Sequence, residues 1–299
     1  MKYGKLFSLI LFSGFIGLQI IACSNSENKT KKQVKKENII VKDTIKLLSE
    51  TPAVFKTPES VKYDKENSVL YVSNVNGKPL EKDGNGFISK LDLDGNVVDV
   101  EWITGLNAPK GMGIYKGILY VTDIDELVEI SIREGKIINR FSAKDSEFLN
   151  DIDIDENGNV FVSDMRTDNI RILQNDVFKI WLQSDEIVSP NGLYCENKNL
   201  LIGTKTKIIS VNIKTKLIST LIDNTGSIDG LEYTGDGKYL FSDWKGHVFV
   251  ASIGKTKKLI LNTADKNINA ADIEFIRDKQ LLLIPTFYHN TVSFYKLVK

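Results

Sequence analysis

Apolar and polar residues alternate in short runs along most of the chain, which is the pattern of half-buried β-strands. One type of segment recurs six times: a first residue that is usually polar or charged, then a small or polar residue, then alternating apolar positions. The six segments open at Glu59, Lys110, Asn150, Asn191, Asp229 and Ala271. Their starts are spaced by roughly 40 residues, with a longer first interval. This period, with alternation inside each unit, predicts the blades of a β-propeller rather than helical repeats.

Each opening segment is followed by a turn and further apolar strands, so the predicted unit is a four-stranded sheet. Two turns carry Asn157-Gly158 and Asp236-Gly237, pairs that tolerate positive φ and favour tight hairpins. The sixth unit lacks a fourth strand, and residues 44–55, ahead of the first unit, have the character of one. The sequence therefore predicts an all-β, six-bladed β-propeller whose ring is closed by an N-terminal strand, with no open sheet edge left by the closure.

The N-terminus has the pattern of an export signal. Lys2 and Lys5 precede an apolar run over residues 6–21, and Ala22 and Cys23 follow. Residues 20–23, Ile-Ile-Ala-Cys, resemble the lipobox of bacterial lipoproteins, which implies cleavage before Cys23 and lipidation of its sulfur. The alternative is an ordinary signal peptide with an incidental cysteine.

The predicted organisation is therefore a signal peptide over residues 1–22, a flexible polar tether over 23–43 and a propeller over 44–299. The resemblance implies a bacterial cell-envelope protein that contacts the membrane only through its lipid anchor, and Ser24 favours the outer membrane in a Gram-negative cell. Cys195 is the only other cysteine, so a lipidated Cys23 leaves no internal disulfide.

Charge and motifs exclude some classes of partner. Lys and Arg number 39, and Asp and Glu also number 39, so no basic footprint for nucleic acid is expected. Gly254-Lys255-Thr256 resembles the end of a phosphate-binding loop, but Phe249 stands where that motif needs glycine, so no nucleotide site is expected. We expect a monomer that takes a small-molecule substrate or ligand.

In a propeller, the first strand of each blade lines the central channel, and the opening residue lies at one mouth. We call the six opening residues the ring. Glu59, Asn150, Asn191 and Asp229 present carboxylate or amide oxygens there, the donors that Ca²⁺ accepts. Zn²⁺ is disfavoured, because the chain has two histidines and neither aligns with the ring.

Four segments resemble the metal-site segments of the senescence marker protein, gluconolactonase and luciferin-regenerating family, a likeness that covers residues 57–299. They are Pro58-Glu59-Ser60-Val61, Asn150-Asp151, Pro190-Asn191-Gly192-Leu193 and Asp229-Gly230-Leu231. The resemblance implies that Glu59, Asn191 and Asp229 bind a divalent cation, and the expected ion is Ca²⁺. It further implies that Asn150 is another ligand or a substrate contact, and that Asp229 is the catalytic general base or nucleophile.

Two positions depart from that family. Lactonases acting on sugar acids carry Arg two residues before the third-blade Asn, where this chain has Phe148. Lys110 enters the ring, where its ammonium could pair with Asp229 or Glu59, orient an anionic substrate, or partly replace the charge of a metal. The alternative for ring Asn and Asp residues is a purely structural role in capping turns.

The loops at the same mouth supply further candidates. Trp244, Phe287, Tyr288 and His289 either wall a pocket or pack between blades, and residues 74–85 form a candidate lid. Asp123, Asp164 and Asp243 are interpreted as structural turn residues.

Together these features predict a metal-dependent lactonase or esterase with catalytic Asp229, metal ligands Glu59, Asn191, Asp229 and Asn150, and substrate contacts from Asn150, Lys110, Trp244 and His289. The competing hypothesis is a non-catalytic, envelope-anchored propeller that binds a small molecule, glycan or protein.

Overall fold

A computed structural model describes residues 43–298. Within them, 24 strands form six four-stranded antiparallel sheets, and the three helical segments are single 3₁₀ turns. The predicted signal peptide, Cys23 and nearly all of the tether lie outside the described residues. No helix in the described part has the length and apolar character that a membrane span requires.

The first strand of each blade contacts the first strand of the next blade around the whole ring. These innermost strands are β2 (Pro58–Asp64), β6 (Pro109–Tyr115), β10 (Leu149–Ile154), β14 (Leu193–Glu196), β18 (Leu231–Tyr233) and β22 (Glu274–Ile276). The second strands are β3 (Val69–Asn74), β7 (Ile118–Asp123), β11 (Val160–Asp164), β15 (Asn199–Gly203), β19 (Lys238–Ser242) and β23 (Leu281–Pro285).

The third and fourth strands complete each blade outward, and the fourth strands carry mostly exposed side chains. The third strands are β4 (Gly86–Asp92), β8 (Glu126–Ser131), β12 (Asn169–Gln174), β16 (Ile208–Asn212), β20 (His247–Ser252) and β24 (Val292–Val298). The fourth strands are β5 (Val97–Leu106), β9 (Lys136–Ser142), β13 (Val177–Gln183), β17 (Ile218–Ile222), β21 (Lys258–Asn262) and β1 (Thr44–Glu50).

The sixth blade confirms the predicted closure. Its outer strand is β1, which pairs antiparallel with β24 from Thr44 opposite Val298 to Glu50 opposite Ser293. The β1 strand thereby joins the N-terminal end of the propeller to its C-terminal strand. The predicted all-β, six-bladed architecture is confirmed.

Apolar side chains are buried between blades rather than in one central core. Six clusters each draw residues from two neighbouring blades, such as Leu70 of the first blade with Phe294 of the sixth. Because both faces of every sheet are covered, the second strands are almost wholly buried. The first strands, by contrast, also bury polar residues, among them Glu59, Asp151 and Glu274.

The first strand of the sixth blade begins later than the predicted opening residue, Ala271. That strand begins at Glu274, and the preceding segment makes isolated contacts instead. The N–H of Ala271 donates to Pro285 O at 3.1 Å, whereas the N–H of Asp272 donates to Glu59 O, in the next blade, at 3.0 Å. The segment is therefore shared between two blades, which interrupts regular pairing.

Candidate functional site

Irregular backbone pairing sets the direction of the side chains of the first three ring residues. In β2, β6 and β10 the pairing register shifts at the ring position, so Glu59, Lys110 and Asn150 lie in irregular segments of bulge type. A bulge leaves a residue outside the regular ladder and changes the direction of its side chain. All three side chains are buried and line one cavity at the channel mouth.

Glycine after the ring residue allows neighbouring blades to approach closely. A Cβ on Gly192 would lie 2.4 Å from Asp229 O, and a Cβ on Gly230 would lie 2.3 Å from Ile273 N. No side chain tolerates such distances without a backbone shift. These glycines therefore set the spacing of the blades and hold Asn191 and Asp229 at the mouth.

The cavity has a volume of about 360 Å³, at the lower end of the range for small-molecule sites. Its floor is formed by five of the six ring residues, Glu59, Lys110, Asn150, Asn191 and Asp229. Its other lining residues are mainly apolar or aromatic: Val75, Pro79, Phe148, Met165, Ser227, Ile228, Asp243, Trp244, Phe287 and Tyr288. A polar floor under apolar walls suits a ligand with one polar end.

Two buried carboxylates on the floor are incompletely paired. Asn191 Nδ2 donates to Asp229 Oδ1 at 2.7 Å. Asp229 Oδ2 and Glu59 Oε2 are buried and have no hydrogen-bond partner within residues 43–298. Since a buried carboxylate oxygen without a partner is costly, these atoms require either a proton or a cation from outside the protein.

The pKa values of these two acids follow from their burial. Removal from water raises the pKa of Asp229 to about 8, and the nearby carboxylate of Asp272 adds to the rise. Burial likewise raises the pKa of Glu59 well above its usual value. The carboxylates of Asp229 and Asp272 raise that pKa further, whereas the Lys110 ammonium lowers it. Without a bound cation, the floor therefore retains protons at neutral pH.

Two further acids lie one residue beyond ring positions. Asp272 Oδ2 accepts a hydrogen bond from Ser60 Oγ at 2.6 Å, and burial raises the Asp272 pKa to about 6. Asp151 accepts the Leu193 N–H at 2.6 Å and so joins adjacent blades. Burial also raises the pKa of Asp151 well above its usual value. Asp272 is therefore the partnered acid that contributes negative potential to the floor at neutral pH.

Among residues 43–298, Lys110 is the one cation on the floor, and only 1% of the residue is exposed. Its Nζ donates to Ala108 O at 2.9 Å and lies 4.6 Å from the centre of the Phe148 ring. Burial lowers its pKa to about 8, while Glu59 and Asp123 oppose that decrease. The side chain is therefore mainly an ammonium at neutral pH.

Two of the three residues that form the aromatic wall, Trp244, Phe287 and Tyr288, have a strained backbone. Trp244 and Phe287 have φ values of 51° and 47°, in the left-handed region that is unfavourable for bulky side chains. Their rings meet edge to face at 5.5 Å, and Tyr288 packs on both. Trp244 and Tyr288 are 39% and 65% exposed. Such strain at a cavity wall is typical of functional sites.

Two residues that were expected at the channel mouth, His289 and Ala271, do not line the cavity. His289 belongs to the same 3₁₀ turn as Phe287, but it does not line the cavity, and its Nε2 lies 3.7 Å from Glu50 Oε1 instead. Ala271, the sixth ring residue, is fully buried and also does not line it. The other predicted residues, Trp244 included, do line the cavity.

The loop over residues 75–85 explains why the sixth ring position is covered. Val75 and Pro79 line the cavity, and Leu80 packs on a buried cluster that contains Ala271. The candidate lid therefore forms part of the wall in this structure.

The three aspartates interpreted as structural differ in position. Asp123 accepts the N–H groups of Asn107 and Ala108, a turn-capping role. Asp164, the last residue of β11, accepts a hydrogen bond from Ser146 Oγ at 2.6 Å and is fully buried. Asp243 accepts a hydrogen bond from His247 Nδ1, four residues further along the chain, at 2.7 Å. Unlike the other two aspartates, Asp243 also lines the cavity.

Sequence reasoning missed Met165, Ser227 and Ile228 as well as the placement of Asp243 in the lining. Met165 and Trp244 each directly follow an aspartate at the end of a second strand, and that shared position is the signal that could have indicated Met165. Nothing comparable in the sequence marks Ile228.

The floor fits a hard divalent cation by its donor chemistry. The unpaired oxygens of Glu59 and Asp229 supply negative charge, and the amide oxygens of Asn191 and Asn150 are available from the same floor. Within residues 43–298, no three His, Cys, Asp or Glu side chains come together as a metal cluster. A cation at this site would therefore depend on the asparagine amides and on water.

Comparison with solved structures agrees with the architecture. A streptogramin B lyase has a TM-score of 0.62 at 12% identity, covering 86% of this chain and 98% of that chain. The chain shares a propeller fold with it. A catalytically inactive variant of virginiamycin B lyase from Staphylococcus aureus, with quinupristin, gives a TM-score of 0.60 at 12% identity and covers 86% of this chain and 100% of that chain.

A third similar structure is the WD40 β-propeller domain of Doa1, with a TM-score of 0.60 at 15% identity and coverage of 80% of this chain and 78% of that chain. At such identities the likeness concerns the fold alone. No protein-family model matches the sequence, and no curated protein matches it. Membership of the senescence marker protein and gluconolactonase family stays a prediction.

Proposed function

We propose that this propeller is a metal-dependent hydrolase that opens a lactone or ester at the channel mouth. The observation that carries the proposal is the pair of buried, unpaired carboxylate oxygens on Glu59 and Asp229, at the floor of a cavity of about 360 Å³. Glu59, Asn191 and Asp229 would hold a divalent cation of the Ca²⁺ type, with Asn150 as a further ligand or substrate contact.

The residues divide the chemistry between them. Asp229 accepts the proton of the attacking water as the new C–O bond forms, and it returns that proton to the leaving oxygen when the ester bond breaks. Asn191 orients Asp229 by donating to its Oδ1. The chemistry supplied by a bound cation is polarisation of the substrate carbonyl. Trp244, Phe287 and Tyr288 exclude water from the apolar part of the substrate.

The test combines cation binding with hydrolysis. Calcium binding is measured by calorimetry at pH 8, and turnover is measured on a panel of lactones and aryl esters with and without chelator. We expect Asp229→Asn and Glu59→Gln to weaken calcium binding at least tenfold and to abolish turnover. Glu156→Gln, which neutralises an exposed acid outside the cavity, is the control. Chelator-insensitive turnover that survives Asp229→Asn would overturn the proposal.

One observation favours the competing, non-catalytic function. The Lys110 ammonium lies on the same floor and opposes the binding of a second positive charge. A propeller that binds a small molecule, glycan or protein at this mouth without converting it would retain all of the geometry described above. Ligand binding without turnover across the panel would favour this alternative.

We also propose that the protein is monomeric and is held at the bacterial envelope through lipidated Cys23. Mass spectrometry of the mature chain would show a diacylglyceryl-modified N-terminal cysteine, and Cys23→Ala would release the protein from the membrane fraction. An unmodified cysteine in the mature chain would contradict this localisation.

A further inference from the structure

Lys110 is a buried cation without an acidic partner. Within residues 43–298, no carboxylate oxygen lies within 4 Å of its Nζ, although many other lysines form such pairs. Of the three hydrogens that an ammonium donates, one goes to Ala108 O. Buried charges are usually paired, so an unpaired ammonium on a cavity floor indicates that an anion is supplied from outside.

A second cation lies next to the same aromatic ring. The guanidinium carbon of Arg166 is 5.5 Å from the centre of Phe148, whereas Lys110 Nζ is 4.6 Å from it. Arg166 is exposed and forms no ion pair within the described residues. Phe148 lines the cavity, so positive charge is concentrated on the side of the second and third blades.

The other sides of the cavity have different chemistry. Glu59 and Asp229 belong to the first and fifth blades, and the wall of Trp244, Phe287 and Tyr288 belongs to the fifth and sixth. A ligand that is chemically complementary to every side of the cavity has one anionic group directed at Lys110 and a flat apolar body against the aromatic wall. The acids on the floor disfavour a dianion, so a carboxylate fits better than a phosphate.

We propose that the natural ligand is a small carboxylate with an apolar or aromatic body, and that Lys110 binds the carboxylate while Arg166 attracts it at the entrance. This inference rests on the proposed function in one respect, namely that the cavity is the substrate site. The substrate class is then a carboxylate-bearing lactone or ester. Lys110 acts as its specificity-determining residue.

The first test needs no variant. Binding of 3-phenylpropionate and of its neutral amide is measured on the intact protein by calorimetry at pH 7, with Ca²⁺ and with chelator. We expect the acid to bind at least tenfold more tightly than the amide in the presence of Ca²⁺. Equal affinities would overturn the proposal, as would tighter binding of the amide.

The second test identifies the residue responsible. Lys110→Met keeps most of the apolar length of the side chain and removes the charge, and we expect it to weaken acid binding by about 10- to 100-fold while changing amide binding less than threefold. Lys179→Met, at an exposed lysine on the outer strand β13, is the matched control. Arg166→Gln should slow association of the acid and weaken its dependence on salt.

The outcomes separate this inference from the proposed function. If Lys110→Met weakens acid and amide equally, Lys110 has only a packing role, and the inference is wrong whatever the enzyme assays show. If that variant does not fold, the comparison of acid with amide on the unmodified protein still decides. Discrimination by charge without any hydrolysis would support the anion subsite and contradict the hydrolase.

Discussion

Asp229→Asn provides a test of the electrostatics of the floor that is independent of any substrate. The folded protein holds the Asp229 proton up to about pH 8, because the side chain is buried and lies near Asp272. An unfolded aspartate loses its proton near pH 4. An asparagine at this position still accepts the hydrogen bond from Asn191 through its amide oxygen, so the substitution mimics the protonated acid.

The sign of the effect follows from proton linkage. Between about pH 4 and pH 8 the folded state binds more protons at Asp229 than the unfolded state, so the free energy of unfolding falls as the pH rises. One such group contributes at most about 1.4 kcal/mol per pH unit, and the whole interval gives an upper limit of about 5 kcal/mol. Asp229→Asn should therefore be nearly neutral at pH 4.5 and stabilising by about 2 to 5 kcal/mol at pH 8.

Urea denaturation in chelator, at half-unit steps from pH 4.5 to 8.5, measures this difference directly. Asp272, with a pKa of about 6, contributes a decrease in the same direction, and that decrease remains in the variant. Asp185→Asn, at an exposed acid, is the control and should follow the wild-type profile. Saturating Ca²⁺ should remove most of the advantage of Asp229→Asn at pH 8. Parallel pH profiles for wild type and Asp229→Asn would refute the reasoning.

Three other predictions concern packing, the aromatic wall and ring closure. Gly230→Ala places a methyl 2.3 Å from Ile273 N and should lower the free energy of unfolding by at least about 3 kcal/mol in urea titrations. Gly237→Ala is the control: its φ is 82° and the space around it is open, so it should cost about 1 kcal/mol. Equal losses in the two variants would contradict the close-approach argument. Trp244→Ala should weaken binding of aryl ligands roughly tenfold by calorimetry, and an unchanged affinity would place the ligand elsewhere. Deleting β1 should unpair β24 and cause association in size-exclusion chromatography, and a monomeric, cooperatively folding product would show that closure is dispensable.

The repeat made the fold predictable from the sequence. Alternation of apolar residues defines the strands of a sheet whose two faces are both covered, and its recurrence at a propeller period defines the blades. The ring residues were found because they occupy one register, and Glu59, Asn150 and Asp229 do share a cavity. The bulges that direct these side chains are not visible in the sequence, because they depend on the pairing of backbone across the blade.

The walls were less predictable than the floor, because they come from loops without a repeat. His289 and Tyr288 are neighbours in one turn, yet only Tyr288 lines the cavity, since the backbone of that turn directs them apart. Asp243 follows the same rule as Asp123 and Asp164 in sequence but borders the cavity in space. Which loop residue reaches the mouth is decided by tertiary packing rather than by the local pattern.

The strand that completes the ring, β1, is the first of the described strands to be synthesised, and its partner, β24, is the last. Leu47 of β1 lies opposite Tyr295 of β24, so almost the entire propeller separates the two in sequence. Bringing such distant strands together lowers chain entropy and slows folding relative to local hairpins. Until β24 is in place, β1 presents unpaired backbone groups beside Leu47 and Leu48, which stay about half exposed even when folded. The period before closure is therefore when this chain is most prone to pair with another copy of itself.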